Sequence, residues 1–138
     1  MCIRDREKRV LIVDDEPPVV EVLRRAIEHM AESYNEEIQI AWAFNGFEAG
    51  RLVATFRPHL IFLDLMMPKM DGFDVCYQVR NDPATKDIIV VAITGYGSPE
   101  NVERILKCGA VKCLIKPVTV EQIQDITREV LGIKKKRV

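Results

Sequence analysis

No stretch of this 138-residue chain approaches the run of about 20 apolar residues that a helix needs to cross a bilayer, and no signal-peptide pattern opens it. A cytoplasmic protein without a membrane partner is therefore expected. Neither sign of charge is in excess: 20 Lys and Arg stand against 21 Asp and Glu, a formal net charge of −1. Such a balance argues against a surface specialised for nucleic acid or anionic lipid, so no direct nucleic-acid contact is expected. CxxC pairs are missing, although there are four cysteines (Cys2, Cys76, Cys108 and Cys113), and His29 and His59 lie far from them in sequence. The cysteines then read as reduced structural thiols acting as small hydrophobes. His29 and His59 read as surface or boundary residues, and Trp42 as packing.

What the chain does contain is alternation. Five short apolar runs, at 10–13, Ile38–Ala43, 59–63, 88–93 and Lys112–Ile115, are separated by five segments of helical period. Four of the runs are nearly continuous in Val, Ile, Leu or Phe, as in strands covered on both faces. Val19, Leu23, Ala26, Ile27 and Met30 share one face of the first helical segment, and Ala49, Leu52, Val53 and Phe56 one face of the second. Phe73 and Cys76, with Val75 and Val79, mark the third. Val102, Ile105 and Leu106 stripe the fourth, and Val120, Ile123, Thr127 and Val130 the fifth. Helix starts are legible too: Asn45 with Glu48 and Thr119 with Gln122 have capping-box spacing, Ser98-Pro99 sets a cap before a first-turn proline, and Asp71-Gly72 opens the third helix. Strict βα alternation with right-handed crossovers predicts an α/β, flavodoxin-like, doubly wound parallel sheet of five strands in order 2-1-3-4-5, with five helices. The expected domain covers 9–131, after a disordered arm at 1–8 and before a basic tail at 132–138. That tail, with Lys134, Lys135, Lys136 and Arg137, reads as a solvated terminus or the start of a linker.

In such a sheet ligands bind outside the carboxyl ends of the strands, where the strand order reverses. Here the reversal falls between strands one and three. Asp14 and Asp15 follow the first, Asp64 follows the third, and three carboxylates converge. Like charges at that spacing need a cation, and an all-oxygen donor set suits Mg²⁺ or Mn²⁺ rather than zinc. Strand four ends in Thr94-Gly95 and strand five in Lys116-Pro117, adding a hydroxyl and an ammonium group to the same edge. Three carboxylates, balanced by Lys116 and a divalent cation, form a site on which an aspartyl phosphate is electrostatically feasible.

These elements in order, Asp14-Asp15, the run from Asp64 through Leu65, Met66, Met67, Pro68, Lys69 and Met70 to Asp71-Gly72, then Thr94-Gly95, Gly109-Ala110 and Lys116-Pro117, resemble the receiver domains of bacterial two-component response regulators. The resemblance covers 8–131. It implies that Asp64 is the phosphoacceptor, taking its phosphoryl group from a sensor histidine kinase or a phosphotransfer protein. Asp14, Asp15, Asp64 and the backbone carbonyl of Met66 would hold Mg²⁺; Thr94 and Lys116 would contact phosphoryl oxygens, and Lys116-Pro117 would be cis. The domain would not be an enzyme in the ordinary sense, but a phosphoacceptor with self-catalysed transfer and slow self-dephosphorylation, obstructed by Met66 and Tyr96. Output would pass to a downstream protein through the face of helix four, strand five and helix five, from a monomer or a phosphorylation-dependent dimer. Two departures stand out: Cys113 occupies the position of the usual aromatic switch residue, and Val118 stands where phenylalanine is common. Aromatic coupling from site to surface therefore does not carry over directly from the family, and the mechanism by which that face would signal stays open.

Taken singly, the site residues have plainer readings: Asp14-Asp15 as a turn and cap, Asp64 as a loop cap, Thr94 as a backbone partner, Lys116 as a solvated strand end. Their coincidence at one sheet edge favours a site. A haloacid-dehalogenase-like phosphatase would begin with its nucleophile in a DxD motif, whereas Asp64-Leu65-Met66 lacks the second aspartate. A nucleotide-binding module would need a glycine-rich loop where Asp14-Asp15-Glu16 stands. A receiver-like interaction domain that is never phosphorylated is the remaining alternative.

Overall fold

The computed structural model describes residues 8–66, 72–95 and 97–134. Its elements run β1 (Lys8–Val13), α1 (Pro17–Ser33), β2 (Ile38–Ala43), α2 (Gly46–Thr55), β3 (Leu60–Asp64), α3 (Gly72–Asn81), β4 (Ile89–Thr94), α4 (Pro99–Lys107), β5 (Lys112–Ile115) and α5 (Val120–Leu131). All strand pairs are parallel and the order is β2-β1-β3-β4-β5, the doubly wound sheet expected from the alternation. The central strands are apolar between their ends because both faces are covered; the polar residues Lys8, Arg9, Asp64 and Thr94 stand at strand termini. Leu11, Val13, Ile61, Leu63, Val90 and Ala92 pack toward α2, α3 and α4. Val10, Ile12, Leu60, Phe62, Val91 and Ile93 pack toward α1 and α5.

Local chemistry fixes the helix starts. Asn45 accepts from the Glu48 amide at 2.8 Å, Ser98 from the Asn101 amide at 3.2 Å with Pro99 next to it, and Thr119 and Gln122 form a reciprocal capping box. The helices differ in how firmly apolar burial holds them. α1 buries six residues, among them Leu23, Ile27 and Met30, whereas α4 buries Ile105 alone. One such side chain contributes about 2–3 kcal/mol, so α4 is the helix that burial ties least. Its C-terminal end has polar ties instead. Arg80, on α3, donates to the carbonyls of Lys86, Ile88 (3.1 Å) and Gly109 (2.8 Å). Gly109, at φ 109°, has no room for a side chain there, since a Cβ would lie 2.5 Å from Arg80 Nε.

Several boundaries differ from the sequence reading. Lys8 belongs to β1, not to the N-terminal arm: it pairs with Ile38, is 7% exposed, and its ammonium bonds Glu36 at 3.1 Å. Backbone pairing needs no apolar side chain, which is why an apolar-run reading started the strand late. Ile133 likewise belongs to the domain rather than the tail, because the left-handed turn at Gly132 folds it back into the core beside α5. Val120 and Leu106 are exposed while Ile126 and Leu131 are buried. Trp42 is half exposed, its ring under the Arg24 guanidinium at 5.7 Å. His29 is exposed, and His59 sits at the strand boundary with Nδ1 accepting from the Arg9 amide at 3.1 Å. Cys76, Cys108 and Cys113 are free thiols, and burial pushes the Cys76 thiol up to about 11. Cys2, the run from Met67 through Asp71, Tyr96 and the tail from Lys135 lie outside the described residues.

Arg57 follows the C-cap of α2 with φ 53°, a conformation that costs a residue with a Cβ. Its carbonyl accepts from Arg9 Nε at 2.8 Å, a bond that survives replacement of the side chain. Arg57→Gly is therefore expected to stabilise the fold by about 1 kcal/mol, read as a higher urea midpoint at unchanged slope.

Candidate functional site

The pairing registers assemble the site. β1 ends at Val13 opposite Leu63, so Asp14 and Asp64 leave neighbouring strands at the same level. Asp14 is held by its own amide, which donates to Ala43 O at 3.1 Å, and its Oδ1 accepts from the Glu16 amide at 2.9 Å. Asp64 is the last residue of β3, in register with Ile93, and its Oδ1 accepts from the Met66 amide at 3.1 Å. Asp14 and Asp64 are 2% and 3% exposed, while Asp15 is half-buried. One carboxylate oxygen from each of the three lies within 4.8 Å of the others, a spacing one cation can bridge.

Lys116 faces this cluster. Its ammonium lies 3.2 Å from Asp14 Oδ2 and 3.6 Å from Asp64 Oδ2. Its amide donates to Thr94 O at 2.8 Å, which joins the ends of β4 and β5. Thr94 closes β4 one step beyond the register partner of Asp64 and is fully buried. The Lys116-Pro117 bond is cis.

Burial dominates the electrostatics. It raises Asp64 from an ordinary 3.8 to about 6, opposed by the Met66 amide and Lys116 and reinforced by the charge of Asp14. Asp14 is raised for the same reason, with the Glu16 amide and Lys116 opposing. Burial of Lys116 favours its neutral form, but the fields of Asp64 and Asp14 outweigh it and the amine is held above its ordinary range. One lysine does not neutralise three clustered carboxylates, so the donor set fits a hard divalent cation with oxygen ligands.

All the carboxylates singled out in the sequence, together with Lys116, thus meet at one edge, and Thr94 ends the strand beside them. Two glycines have a steric role that the sequence reading does not give: Gly72 is read there only as a helix start and motif residue, and Gly97 is not singled out. A Cβ on Gly72 would lie 2.6 Å from Asp64 O and 2.8 Å from Leu65 Cα, so α3 begins hard against the backbone at the end of β3. A Cβ on Gly97 would lie 2.3 Å from Ile115 Cδ1. The motif containing Gly72 was a visible signal; for Gly97 the only one was a glycine beside a helix cap.

A 2-1-3-4-5 parallel sheet with an acidic, lysine-bearing edge defines a flavodoxin-like α/β protein whose site suits phosphoryl chemistry. The chain belongs to the response regulator receiver domain family, whose model matches residues 10–128. It is 33% identical over 89% of its length to the DNA-binding dual master transcriptional regulator RpaA of Synechocystis, and 34% identical over 84% to the probable C4-dicarboxylate response regulator DctR of Priestia megaterium. It spans 48% of each of those proteins, about half their length. The signal receiver domain of a DNA-binding response regulator from Colwellia psychrerythraea matches with a TM-score of 0.84 and 34% identity, over 91% of this chain and 98% of that one. The protein is thus a two-component signalling domain. Among the described residues no helix is long and apolar enough to cross a membrane.

Proposed function

We propose that Asp64 accepts a phosphoryl group from a phosphohistidine on a sensor histidine kinase or phosphotransfer protein, with Mg²⁺ bound at Asp14, Asp15 and Asp64. The observation that carries this reading is the cluster of three carboxylates, its ligand oxygens within 4.8 Å, with the Lys116 ammonium 3.6 Å from Asp64. A carboxylate oxygen of Asp64 forms the new P–O bond as the P–N bond of the donor breaks, and the imidazole leaves with its electron pair and takes up a proton. Lys116, already beside Asp64, offsets charge on the equatorial oxygens, and the Thr94 hydroxyl donates to one of them. Mg²⁺, when bound, would supply further charge neutralisation, and the Met66 carbonyl would be an additional ligand. The domain is not an enzyme acting on a separate substrate; it transfers the group to itself and loses it slowly to water, with Met66 limiting access.

Output passes through the α4, β5 and α5 face to a protein partner. Leu106, Val111, Ile115 and Val120, 43–55% exposed, support an apolar docking surface there. The DNA-binding activity in the name of RpaA belongs to a protein of which this chain covers 48%. A net charge of −1 supports protein rather than nucleic acid as the direct partner of this domain, working in the cytoplasm as a monomer or a phosphorylation-dependent dimer.

Acetyl phosphate with Mg²⁺ tests the acceptor. Intact mass is expected to show one added phosphoryl group on the wild type and none on Asp64→Asn; an equal adduct on both would remove Asp64 from the role.

A further inference from the structure

Cys113 leaves open how the site communicates with the exposed face, and a close contact between Gly97 and Ile115 lies near both. Ile115 is the register partner of Thr94, and the next residue, Lys116, donates its amide to Thr94 O at 2.8 Å. Its backbone is therefore tied to both groups that would meet a phosphoryl oxygen, the hydroxyl of Thr94 and the amine of Lys116. Its side chain reaches over the loop that leads from Thr94 into α4. At Gly97 a Cβ would meet Ile115 Cδ1 at 2.3 Å, Cγ1 at 2.7 Å and Cγ2 at 3.4 Å, so the isoleucine fills the volume that glycine leaves. Close apolar packing of this kind is lost by small displacements, since a gap of less than 1 Å already forfeits much of the attraction. Ile115 is also 51% exposed, which lets a partner protein feel its position. Its contact residue Gly97 stands two positions before α4, the helix least held by burial, and Ile115 itself directly precedes the lysine of the site.

We propose that Ile115, seated on Gly97, is the residue that transmits occupancy of the phosphoacceptor site to the α4–β5 face of this domain. The inference rests on the phosphoacceptor reading of Asp64. When an oxygen-rich group is attached there, Thr94 and Lys116 are drawn to it, the loop after Thr94 shifts relative to β5, and Ile115 leaves its seat on Gly97. The seat opposes that shift, so removing it lowers the cost of occupying the site.

The test uses the whole chain with isoleucine δ1 methyls labelled, titrated with Mg²⁺ and beryllofluoride as the phosphoryl mimic. The Ile115 δ1 methyl resonance and the Thr94 amide resonance are expected to shift together with one saturation curve. A Thr94 shift with an unmoved Ile115 methyl overturns the inference and leaves the phosphoacceptor reading standing. If neither responds, that reading fails and the inference fails with it. Ile115→Ala changes an exposed residue; it is expected to bind the mimic roughly fivefold more tightly, the lower end of ordinary coupling between sites. Unchanged affinity in that variant overturns the inference.

Discussion

Asp64→Asn is expected to be more stable than the wild type by ~2 kcal/mol at pH 7 in the presence of a chelator, although it removes the proposed phosphoacceptor. Burial raises the folded-state value of Asp64 from 3.8 to about 6, so between roughly pH 4 and 6 the folded protein binds a proton that the unfolded chain has already released. Stability therefore falls as pH rises through that window, and above it the whole cost of an ionised, buried carboxylate is present. Asparagine never ionises, yet its side-chain oxygen still accepts from the Met66 amide. Urea unfolding at pH 7 and pH 4 checks the sign: the advantage of the variant should be largest at neutral pH and vanish at the acid end. Under the proposed Mg²⁺ binding at these carboxylates, adding the cation is expected to favour the folded wild type and narrow the difference at pH 7. A variant less stable than the wild type at neutral pH would contradict this account of the site.

Gly72→Ala has the largest expected cost. The added methyl would meet Asp64 O at 2.6 Å and Leu65 Cα at 2.8 Å, which are backbone atoms at the end of β3 and cannot rotate away. Overpacking against rigid backbone is expected to destabilise the fold by about 3 kcal/mol, seen as a lower thermal and urea midpoint. Any relief must come from movement of Asp64 itself, so phosphorylation by acetyl phosphate should also slow by about tenfold. Gly97→Ala makes the contrast, because the atoms it meets first are the free end of Ile115, which can turn aside. Equal stability for Gly72→Ala and wild type would show that α3 can shift without disturbing β3.

Legibility in the sequence tracked how local the controlling physics is. Caps were readable because Asn45, Ser98 and Thr119 bond to amides only three residues away. Strand order was readable because continuous apolar runs separated by helices permit few topologies. Polar strand ends were harder: Asp64 and Thr94 belong to β3 and β4, but an apolar-run reading stops one residue short of each. Lys8 and Ile133 were assigned to the flanks because their burial depends on Glu36 and on the turn at Gly132. The converging carboxylates and Lys116 could be read from their positions at strand ends. The seat of Ile115 on Gly97 could not, since it depends on the Thr94–Ile115 register and on the path of a loop over an edge strand. Exposure of Leu106 and Val120 was likewise hidden from helical periodicity, which counts apolar residues without knowing what covers them.

The Arg80 guanidinium, bonded to Gly109 O at 2.8 Å, fixes the trailing end of α4, while the leading end hangs from Ser98 beside Gly97. A rod fastened at one tip pivots rather than slides. Over the nine residues of α4 the lever arm is about 14 Å, so a tilt of roughly 10° carries the leading tip ~2 Å while the anchored tip stays in place. The surface beside Leu106 would then change in orientation more than in position, and a partner built to sense it would have to discriminate angle.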